Sequence, residues 1–490
     1  MPRRTKIVAT LGPASSDPRI LARMIAAGLD VVRVNFSHGS AAEHRQLVET
    51  VRALALKAGR AVGVLVDLQG PKIRIGKFRE GKITLVAGTK FVLDAGCDIG
   101  DESIVGLDYK SLPKDVHPGD TLLLDDGRIV LGVTSIRGAR INCVVEQGGT
   151  LSNNKGINRK GGGLTAPALT QKDKRDIKLA AELKADFLGV SFPRSGADIR
   201  WARALMRKAG GKSLIVAKIE RAEAIAALEE ILDASDAIMV ARGDLAVEVG
   251  DAVVPALQKR MIRMAREKNK AVITATQMME SMITNPIPTR AEVSDVANAV
   301  LDGTDAVMLS AETAAGLYPV ETIAAMARVC VEAEKEDTLS TERRRAAPPT
   351  DVEEAIARAT MFSTNSLNIK AVAAMTQSGK TVLLMSRMYS MVPIYALSSV
   401  VETRRRVTLF RGVYPIKFKG ARDPEKALNM AEDELLKRGA VQNGDYIVFT
   451  IGEPFGKAGG TNTLKIVKVG ENRQVQRREP LMVNRDPKKR

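Results

Sequence analysis

Residues 216 to 245 read VAKIERAEAIAALEEILDASDAIMVARGDL, and this stretch constrains the fold more than any other part of the chain. An apolar run, Leu214 to Ala217, precedes an amphipathic helical pattern and a second apolar run, Ala237 to Val240. Charged residues stand where each apolar run ends. The pattern predicts a strand, a helix and a strand, which together form a βαβ unit because parallel strands need a crossover between them.

The charged residues after these two predicted strands are candidates for a functional site. Lys218 and Glu220 are two apart, so their side chains point to one face of an extended chain, and Asp244 follows the next strand. In parallel folds the carboxyl ends of the strands border the active site. A cation beside two carboxylates suits a divalent metal and a phosphorylated ligand, although an ordinary buried salt bridge would leave the same pattern.

Composition excludes several classes of protein. No apolar run reaches the roughly 20 residues of a membrane helix, and the N-terminus lacks the apolar segment of a secretory signal. The three cysteines are far apart without a CxxC motif, which fits a reducing cytoplasm without disulfides. Only three histidines are present, so a divalent ion is expected to have oxygen ligands, as Mg²⁺ or Mn²⁺ prefers. The net charge of +17 is spread along a chain with 3% aromatic residues, so specific nucleic-acid binding is not expected.

Apolar strands alternate with amphipathic helices over most of the chain. Eight strand–helix pairs predict a (β/α)8 TIM barrel, interrupted after the third strand by short strands and glycine turns. A charged linker, about Lys335 to Thr350, precedes a second strand–helix alternation. We therefore expect a TIM barrel at 1–70 and 166–337, a small β-barrel inserted at 71–165, a C-terminal α/β domain at 351–470, and a flexible basic tail at 471–490.

Hydrophilic side chains recur where the predicted barrel strands end, and a purely structural barrel needs no such ring. The ring places cations near a carboxylate pair, which suits phosphoryl transfer, where catalysis is mostly positioning and charge neutralisation. Its members are Arg33, Asn35, Ser37, Asp67, Ser191, Lys218, Glu220, Arg242, Asp244, Thr274 and Thr276.

Seven stretches together resemble the pyruvate kinase family, over essentially the whole chain except the tail. They are KIVATLGPAS (Lys6 to Ser15), VRVNFSHG (Val32 to Gly39), DLQGPKIR (Asp67 to Arg74), IVAKIER (Ile215 to Arg221), MVARGDLAVE (Met239 to Glu248), ITATQMMESM (Ile273 to Met282) and GGTNTLK (Gly459 to Lys465). The resemblance implies a cytoplasmic glycolytic kinase that moves a phosphoryl group from phosphoenolpyruvate to ADP, giving pyruvate and ATP. The insertion would be a lid, and the C-terminal domain would be regulatory.

The resemblance also implies roles for individual residues. Glu220 and Asp244 would ligate Mg²⁺ or Mn²⁺, Lys218 would neutralise the phosphoryl group and the developing enolate, and Arg33 would reach the transferring phosphoryl group. The amides of Gly243 and Asp244, with Thr276, would hold the substrate carboxylate. The proton for the enolate carbon would come from Thr276 or from a relayed water. Nucleotide contacts would come from Asn35, His38, Arg74, Asp125 and Lys172, although Asp125 before Gly127 is equally typical of a turn and His38 in NFSHG is also typical of a structural turn histidine.

One departure from the family bears on monovalent cations. Most members need K⁺ in the region that corresponds here to Asn35, Ser37, Asp67 and Leu68, and they carry Glu where this chain has Lys72. A fixed ammonium can replace a mobile cation near the substrate phosphate, so we expect K⁺-independent activity unless Lys72 faces solvent.

A second stretch, Thr376 to Thr381, follows a predicted strand with small hydroxyl residues, a glycine and a lysine. On spacing alone it is a turn or a phosphate cradle. By resemblance it is the allosteric phosphate site, formed by Thr376, Ser378, Gly379, Lys380 and Thr381, and the effector would be AMP or a sugar monophosphate. A homotetramer meeting around Glu292 to Asp302 is implied by resemblance alone.

Two other readings of the sequence remain open at this point. A metal-dependent lyase or aldolase also stabilises an enolate on a metal, although it needs no nucleotide site. A nucleic-acid-binding or sensory protein could retain the barrel without its chemistry, although the intact Lys218, Glu220, Asp244 and Arg33 argue against it.

Overall fold

The computed structural model describes residues 2–336, 348–388, 391–421, 423–454 and 460–471 of the 490. The chain separates into two compact units, one formed by Thr5–Asp337 and one by Met1–Arg4 with Thr338–Arg490. Most of the predicted linker and almost all of the predicted tail lie outside the described residues. Among the helices of the described ranges, none has the combined length and apolar composition that crossing a membrane requires.

The first unit begins with three barrel strands and two helices: β1 (Lys6–Leu11), α1 (Pro18–Ala27), β2 (Val31–Asn35), α2 (Ala41–Lys57) and β3 (Gly63–Asp67). The insertion follows and is almost entirely β-structure. Its elements are β4 (Lys77–Phe78), β5 (Lys82–Leu85), β6 (Lys90–Asp94), β7 (Ile99–Gly100), β8 (Ile104–Gly106), α3 (Leu112–Asp115), β9 (Thr121–Leu124), β10 (Ile129–Arg137), β11 (Arg140–Gln147), β12 (Gly149–Ser152) and β13 (Ile157–Arg159).

The strand–helix alternation then resumes and completes the barrel. Its elements are α4 (Gln171–Glu182), β14 (Phe187–Val190), α5 (Gly196–Lys208), β15 (Leu214–Ile219), α6 (Ala222–Ala226), α7 (Leu228–Ala234), β16 (Ala237–Ala241), α8 (Arg242–Val249), α9 (Val254–Glu267), β17 (Ala271–Ala275), α10 (Arg290–Leu301), β18 (Ala306–Leu309), α11 (Ala311–Ala314) and α12 (Pro319–Ala333). The eight parallel strands form a closed barrel in the order β1-β18-β17-β16-β15-β14-β3-β2.

The second unit contains α13 (Val352–Ser366), β19 (Ile369–Met375), α14 (Lys380–Ser386), β20 (Ile394–Ser398), α15 (Val401–Arg406), β21 (Val413–Lys417), α16 (Pro424–Lys437), β22 (Tyr446–Gly452) and β23 (Thr461–Lys468). Its sheet has the order β21-β20-β19-β22-β23, parallel except for the antiparallel pair β22 and β23. The predicted fold class, a barrel with a β insertion and a C-terminal α/β domain, is therefore confirmed.

Side-chain caps begin six of the sixteen α-helices given above. Asp17, which immediately precedes Pro18 at the start of α1, accepts a hydrogen bond from the Arg19 amide. Thr289 forms a reciprocal capping box with Glu292 at the start of α10. Such caps satisfy backbone N–H groups that have no partner inside the helix. Apolar side chains from the strands and from the inner helix faces form one core around the barrel, and the insertion has a core of its own.

Two details differ from the sequence prediction. The single helix predicted within residues 216–245 is two helices, α6 and α7, because the backbone at Ala227 leaves the helical region with ψ at 13°. Several strands of the insertion, among them β4, β7, β8 and β13, have only two or three residues. Such strands are too short to show the two-residue alternation from which a strand is predicted.

Aspartates at the amino ends of four barrel strands bind the neighbouring strand. Asp30, Asp186, Asp236 and Asp305 each stand one residue before a strand. Their carboxylates accept hydrogen bonds from the amides of Ile7, Val64, Ile215 and Val272, respectively, at 2.7 to 2.9 Å. These bonds satisfy backbone donors at the end of the barrel opposite the ring of polar strand ends, so they secure the register of the parallel strands there.

Asp305 is fully buried, and its replacement by alanine leaves the buried Val272 amide without this acceptor. We expect Asp305→Ala to lower the free energy of unfolding by about 1–3 kcal/mol. Asp305→Asn keeps an acceptor oxygen and is the matched control, expected to lose much less. Urea denaturation followed by circular dichroism measures both variants, and equal stability of Asp305→Ala and the wild type would contradict this role.

Candidate active site

A cleft with a volume of about 180 Å³ opens at the carboxyl ends of β2, β3 and β15. Its lining is mainly polar and charged. The lining residues are Arg33, Asn35, Ser37, His38, Asp67, Leu68, Gln69, Lys72, Arg74, Phe192, Lys218, Glu220 and Asp244. The structure thus brings together most of the residues that the sequence predicts for the site, although they are spread over more than 200 positions of the chain.

Four charged side chains form a buried network at the base of the cleft. The guanidinium of Arg33 lies 2.6 Å from the Asp67 carboxylate, and the Lys218 ammonium lies 3.3 Å from the same carboxylate. Lys218 Nζ is also 2.9 Å from Glu220 Oε1. Positive and negative groups therefore alternate, so each carboxylate in the network faces at least one cation.

Burial and partners shift the pKa values in this network in opposite ways. Burial alone would raise the pKa of Asp67, but Lys218 and Arg33 hold it below its ordinary value. Burial would lower the pKa of Lys218, but Asp67 and Glu220 raise it above its ordinary value, so the ammonium stays charged. At Glu220 burial dominates over Lys218 and raises the pKa to about 7. Glu220 is therefore the carboxylate whose negative charge is least compensated.

The loop after β14 positions two of these groups. Ser191 Oγ donates to the Leu68 carbonyl at 2.7 Å and accepts from Lys218 Nζ at 2.7 Å. The Phe192 amide donates to Glu220 Oε2 at 2.9 Å, with Phe192 at a φ of 54°. The sequence indicates Ser191 only as a polar residue at a strand end. The contribution of the Phe192 backbone, and the cleft position of Gln69, have no signal in the sequence.

Asp244 lies in the first turn of α8 and is paired with the insertion. Lys72 Nζ is 3.0 Å from Asp244 Oδ1, and the Lys72 side chain is 29% exposed. The ammonium of Lys72 therefore faces the cleft and not bulk solvent. The negative charge of Asp244 also raises the pKa of Glu220, so these two carboxylates interact across the cleft.

Thr276 and Gly243, both predicted to hold the substrate carboxylate, are bonded to each other. The Gly243 amide donates to Thr276 Oγ1 at 2.9 Å, and Thr276 Oγ1 donates to the Ala275 carbonyl at 2.6 Å. Thr276 has a φ of 70°, an unfavourable value for a β-branched residue. This backbone turn directs the hydroxyl toward the start of α8.

The predicted nucleotide residues divide into two groups. Asn35, His38 and Arg74 line the cleft, and Arg74 also donates to the Asn154 carbonyl of the insertion at 2.9 Å. Lys172 lies elsewhere, paired with Asp176 and donating to the Phe36 carbonyl, both at 2.5 Å. Asp125 is also outside the group of residues that line the cleft. It is 2.7 Å from Lys155 Nζ in a turn with a φ of 50°, which favours the structural reading of this aspartate.

In the second unit, the stretch from Thr376 to Thr381 forms the predicted turn before α14. The Gly379 amide donates to Thr376 Oγ1 at 2.9 Å, with Gly379 at a φ of 86°. Lys380 Nζ lies 2.8 Å from Asp351 and 3.2 Å from Glu353, and Thr381 donates to Glu353 at 2.5 Å. Two carboxylates therefore compensate the cation of this turn.

Comparison with known proteins identifies the family. Residues 2–323 match the family model described as pyruvate kinase, barrel domain, and residues 354–467 match pyruvate kinase, alpha/beta domain. Pyruvate kinase II of Salmonella typhimurium is 54% identical, over 95% of this chain and 99% of that protein. The pyruvate kinase of Haemophilus influenzae is 53% identical, over 92% of this chain and 96% of that protein.

A solved structure gives the same result in three dimensions. The crystal structure of a pyruvate kinase from Cryptosporidium parvum superposes with a TM-score of 0.90 at 33% identity, covering 95% of this chain and 96% of that one. The similarity extends over both units, and the charged cleft at the carboxyl ends of the strands lies within the part that matches the barrel model. The chain therefore belongs to the pyruvate kinase family.

Proposed function

We propose that this chain transfers the phosphoryl group of phosphoenolpyruvate to ADP in the cleft described above, with Lys218, Arg33 and Thr276 as catalytic residues. The observation that carries the proposal is the alternating network of Arg33, Asp67, Lys218 and Glu220 at the base of the cleft. Phosphoryl transfer needs positioned charges more than covalent chemistry, and this network supplies cations in fixed positions.

The donor groups fit a Mg²⁺ or Mn²⁺ ion held by Glu220 and Asp244. Within the described residues there is no cluster of three or more His, Cys, Asp or Glu side chains that could enclose a metal. Mg²⁺ is commonly held by one or two carboxylates together with substrate phosphate and water, so two carboxylates suffice. Glu220 has the least compensated charge in the network, and a divalent cation would compensate it. Such an ion supplies Lewis-acid stabilisation of the phosphoryl and enolate oxygens.

Lys218 and Arg33 are proposed to act on the phosphoryl group directly. The ammonium of Lys218 stays charged because of Asp67 and Glu220, so it can neutralise negative charge on the phosphoryl group and on the enolate oxygen. Arg33 is fixed by Asp67 Oδ2 at 2.7 Å and by Thr10 Oγ1 at 3.0 Å, so its guanidinium needs little reorganisation when the substrate binds.

The start of α8 is proposed to bind the substrate carboxylate. Backbone N–H groups at a helix start favour anions, and the amides of Gly243 and Asp244 lie there. The carboxylate would replace the Thr276 hydroxyl as the acceptor of the Gly243 amide and would then accept from that hydroxyl. Protonation of the enolate carbon remains assigned to Thr276 or to a water that it orients, since an unperturbed hydroxyl is a weak acid.

Nucleotide binding is proposed for the rim of the cleft, with Asn35, His38 and Arg74 as its contacts. Arg74 supports this proposal because it belongs to the insertion and also lines the cleft, and the insertion would act as a lid that excludes water. To contact a nucleotide, Lys172 would have to leave Asp176, and Asp125 would have to leave Lys155.

Replacement of Lys218 by methionine tests the catalytic proposal. We expect Lys218→Met to lower kcat by at least about 10²–10³-fold, because a preorganised cation is lost where negative charge develops. A coupled assay measures pyruvate formation with and without ADP and Mg²⁺. Lys270→Met is the control, since Lys270 binds the Ser235 carbonyl just before β17, at the amino end of the barrel. Undiminished ATP formation by Lys218→Met, or by Glu220→Gln, would refute the proposal.

We also propose that the activity does not depend on K⁺. Lys72 supports this, because its ammonium lies in the cleft with Asn35, Ser37, Asp67 and Leu68 and pairs with Asp244. The Leu68 side chain offers no ligand, and its carbonyl already accepts from Ser191 Oγ. A positive charge fixed on the chain would take the place of a mobile monovalent cation.

The cation proposal predicts equal activity of the wild type in K⁺ and in Na⁺ at matched ionic strength. Lys72→Glu should be impaired in Na⁺ and restored in part by K⁺, because the variant replaces the fixed cation with a carboxylate. Lys77→Glu makes the same change of charge at an exposed position of β4 and should show no cation preference. Strong activation of the wild type by K⁺ over Na⁺ would overturn the proposal.

A further proposal concerns allosteric control by AMP or a sugar monophosphate at Thr376, Ser378, Gly379, Lys380 and Thr381. The turn combines hydroxyl groups, a left-handed glycine and a lysine, which suits a phosphate. Asp351 and Glu353 compete for the same lysine, so a phosphate would have to displace them.

From the family we also expect a homotetramer in the cytoplasm, with Glu292 to Asp302 at a subunit contact.

Competition at Lys380 predicts opposite effects of two substitutions. Lys380→Met should abolish activation by AMP or by a sugar monophosphate, whereas Asp351→Asn should lower the effector concentration needed for half-activation, because one competing charge is removed. Initial rates at subsaturating phosphoenolpyruvate measure both, with unactivated rates as the internal control. Activation that persists in Lys380→Met would exclude this turn as the effector site.

A further inference from the structure

The short helix α8 is attached to both stems of the insertion. At its first turn Asp244 Oδ1 lies 3.0 Å from Nζ of Lys72, which is on the stem that leaves β3. At its last turn Glu248 Oε1 accepts from Asn158 Nδ2 at 3.3 Å, and Asn158 belongs to β13, on the stem that returns to the barrel. Asp244 and Glu248 are four residues apart, one helical turn, so one rigid element connects the two stems.

Glu248 makes more contacts than a surface carboxylate would. Its side chain is buried, and Oε2 accepts from the Ala222 amide, the first residue of α6, at 2.9 Å. Its backbone carbonyl accepts from the Gly161 amide at 3.0 Å. Glu248 therefore holds together α8, the start of α6 and the returning stem. It is absent from the residues that line the cleft, so it cannot contact the substrate in this arrangement.

Gly162 of the returning stem is needed for this close approach. Gly161, Gly162 and Gly163 all have positive φ values between 80° and 91°. A Cβ at Gly162 would lie 2.8 Å from the Glu223 carboxylate, which accepts a hydrogen bond from the Gly163 amide. A side chain at Gly162 would therefore force the stem away from α6.

We propose that Glu248 is a positioning residue that latches the returning stem of the insertion to α8, and that α8 thereby couples occupancy of the cleft to closure of the insertion. The latch is a geometric inference. Only its consequence for catalysis rests on the proposed function. When the latch is lost, the stem on the β13 side moves independently of Asp244, so the insertion closes less completely over bound substrate. Water then reaches the phosphoryl group more easily.

Three variants isolate the side chain of Glu248. Glu248→Ala removes both acceptors, whereas Glu248→Gln keeps an acceptor for the Ala222 amide and can still bond Asn158 after rotation of that amide group. Asn158→Ala removes only the contact on the insertion side. Glu182→Ala is the surface control, because it removes a half-exposed carboxylate that pairs with Arg45 at 2.7 Å.

Hydrogen exchange tests the latch without reference to catalysis. We expect amide exchange at residues 157–164 to accelerate about tenfold or more in Glu248→Ala and Asn158→Ala, and to remain near the wild-type rate in Glu248→Gln and Glu182→Ala. Phosphoenolpyruvate with Mg²⁺ should slow this exchange in the wild type and much less in Glu248→Ala. Unchanged exchange in both latch variants would overturn the latch, and equal slowing by substrate would overturn the coupling.

The division of the phosphoryl group between ADP and water tests the consequence of the latch for the reaction. In the side reaction water attacks phosphorus, the bond from phosphorus to the enol oxygen breaks, and the released enolate takes up a proton. Phosphoenolpyruvate and water thus give pyruvate and inorganic phosphate. We expect the ratio of phosphate released to ATP formed, measured in the presence of ADP, to rise several-fold in Glu248→Ala and to return toward the wild-type value in Glu248→Gln. An unchanged ratio with accelerated exchange would overturn the coupling.

The outcomes separate this inference from the proposed function. If the wild type forms no ATP from phosphoenolpyruvate and ADP, the proposed function fails while the exchange result still decides the latch. If Glu248→Ala does not fold, Asn158→Ala carries the same test, because it leaves the buried carboxylate and its bond to Ala222 in place. Normal exchange and a normal product ratio in Asn158→Ala would then refute the proposal.

Discussion

The structure of the site depends on one buried network of opposite charges, which extends over neighbouring strands of the barrel. Arg33 is on β2, Asp67 ends β3, Ser191 follows β14, and Lys218 is on β15. These four strands are neighbours in the closed barrel. Asp67 pairs with Arg33 and with Lys218, Lys218 pairs with Glu220, and the uncharged Ser191 accepts a hydrogen bond from Lys218. Burying one such charge alone would cost several kcal/mol, so no member is stable without the others. The same interdependence keeps Lys218 charged and directed into the cleft.

The closed barrel can stabilise this buried network because the two ends of its strands make different contacts. At the amino ends, aspartates before β2, β14, β16 and β18 bind backbone amides of adjacent strands and serve strand register. At the carboxyl ends, charged side chains from different strands pair with one another in the cleft. Strain is also found at this end: Phe192 and Thr276 both have positive φ values, and each places a polar group of the site. The register secured at one end thus supports unfavourable geometry at the other.

Sequence patterns predicted the fold and the charged network at the base of the cleft better than they predicted the surrounding contacts of the site. Apolar runs of four to six residues located the barrel strands, and charges near the ends of those runs located Arg33, Asp67, Lys218 and Glu220. Patterns could not reveal the bond from the Phe192 amide to Glu220, because a backbone donor has no residue signature. They also could not reveal that Lys172 and Asp125 pair with Asp176 and Lys155, since competition between ion pairs depends on distances in the folded chain. Short strands were predicted for the insertion, but β4, β7, β8 and β13 were not located individually, because two or three residues show no periodicity.

The position of Lys72 links charge in the cleft to the geometry of the insertion. Lys72 is on the leaving stem, yet its ammonium lies in the cleft beside Asp244, so the charge it contributes depends on where the stem lies. A cation held on a stem differs from a diffusible ion, because it arrives and leaves with the insertion and needs no separate binding equilibrium. Asp244 is in turn one helical turn from Glu248, which holds the returning stem. In the proposed latch, charge compensation at Asp244 and the exclusion of water by the insertion depend on the same contacts along α8.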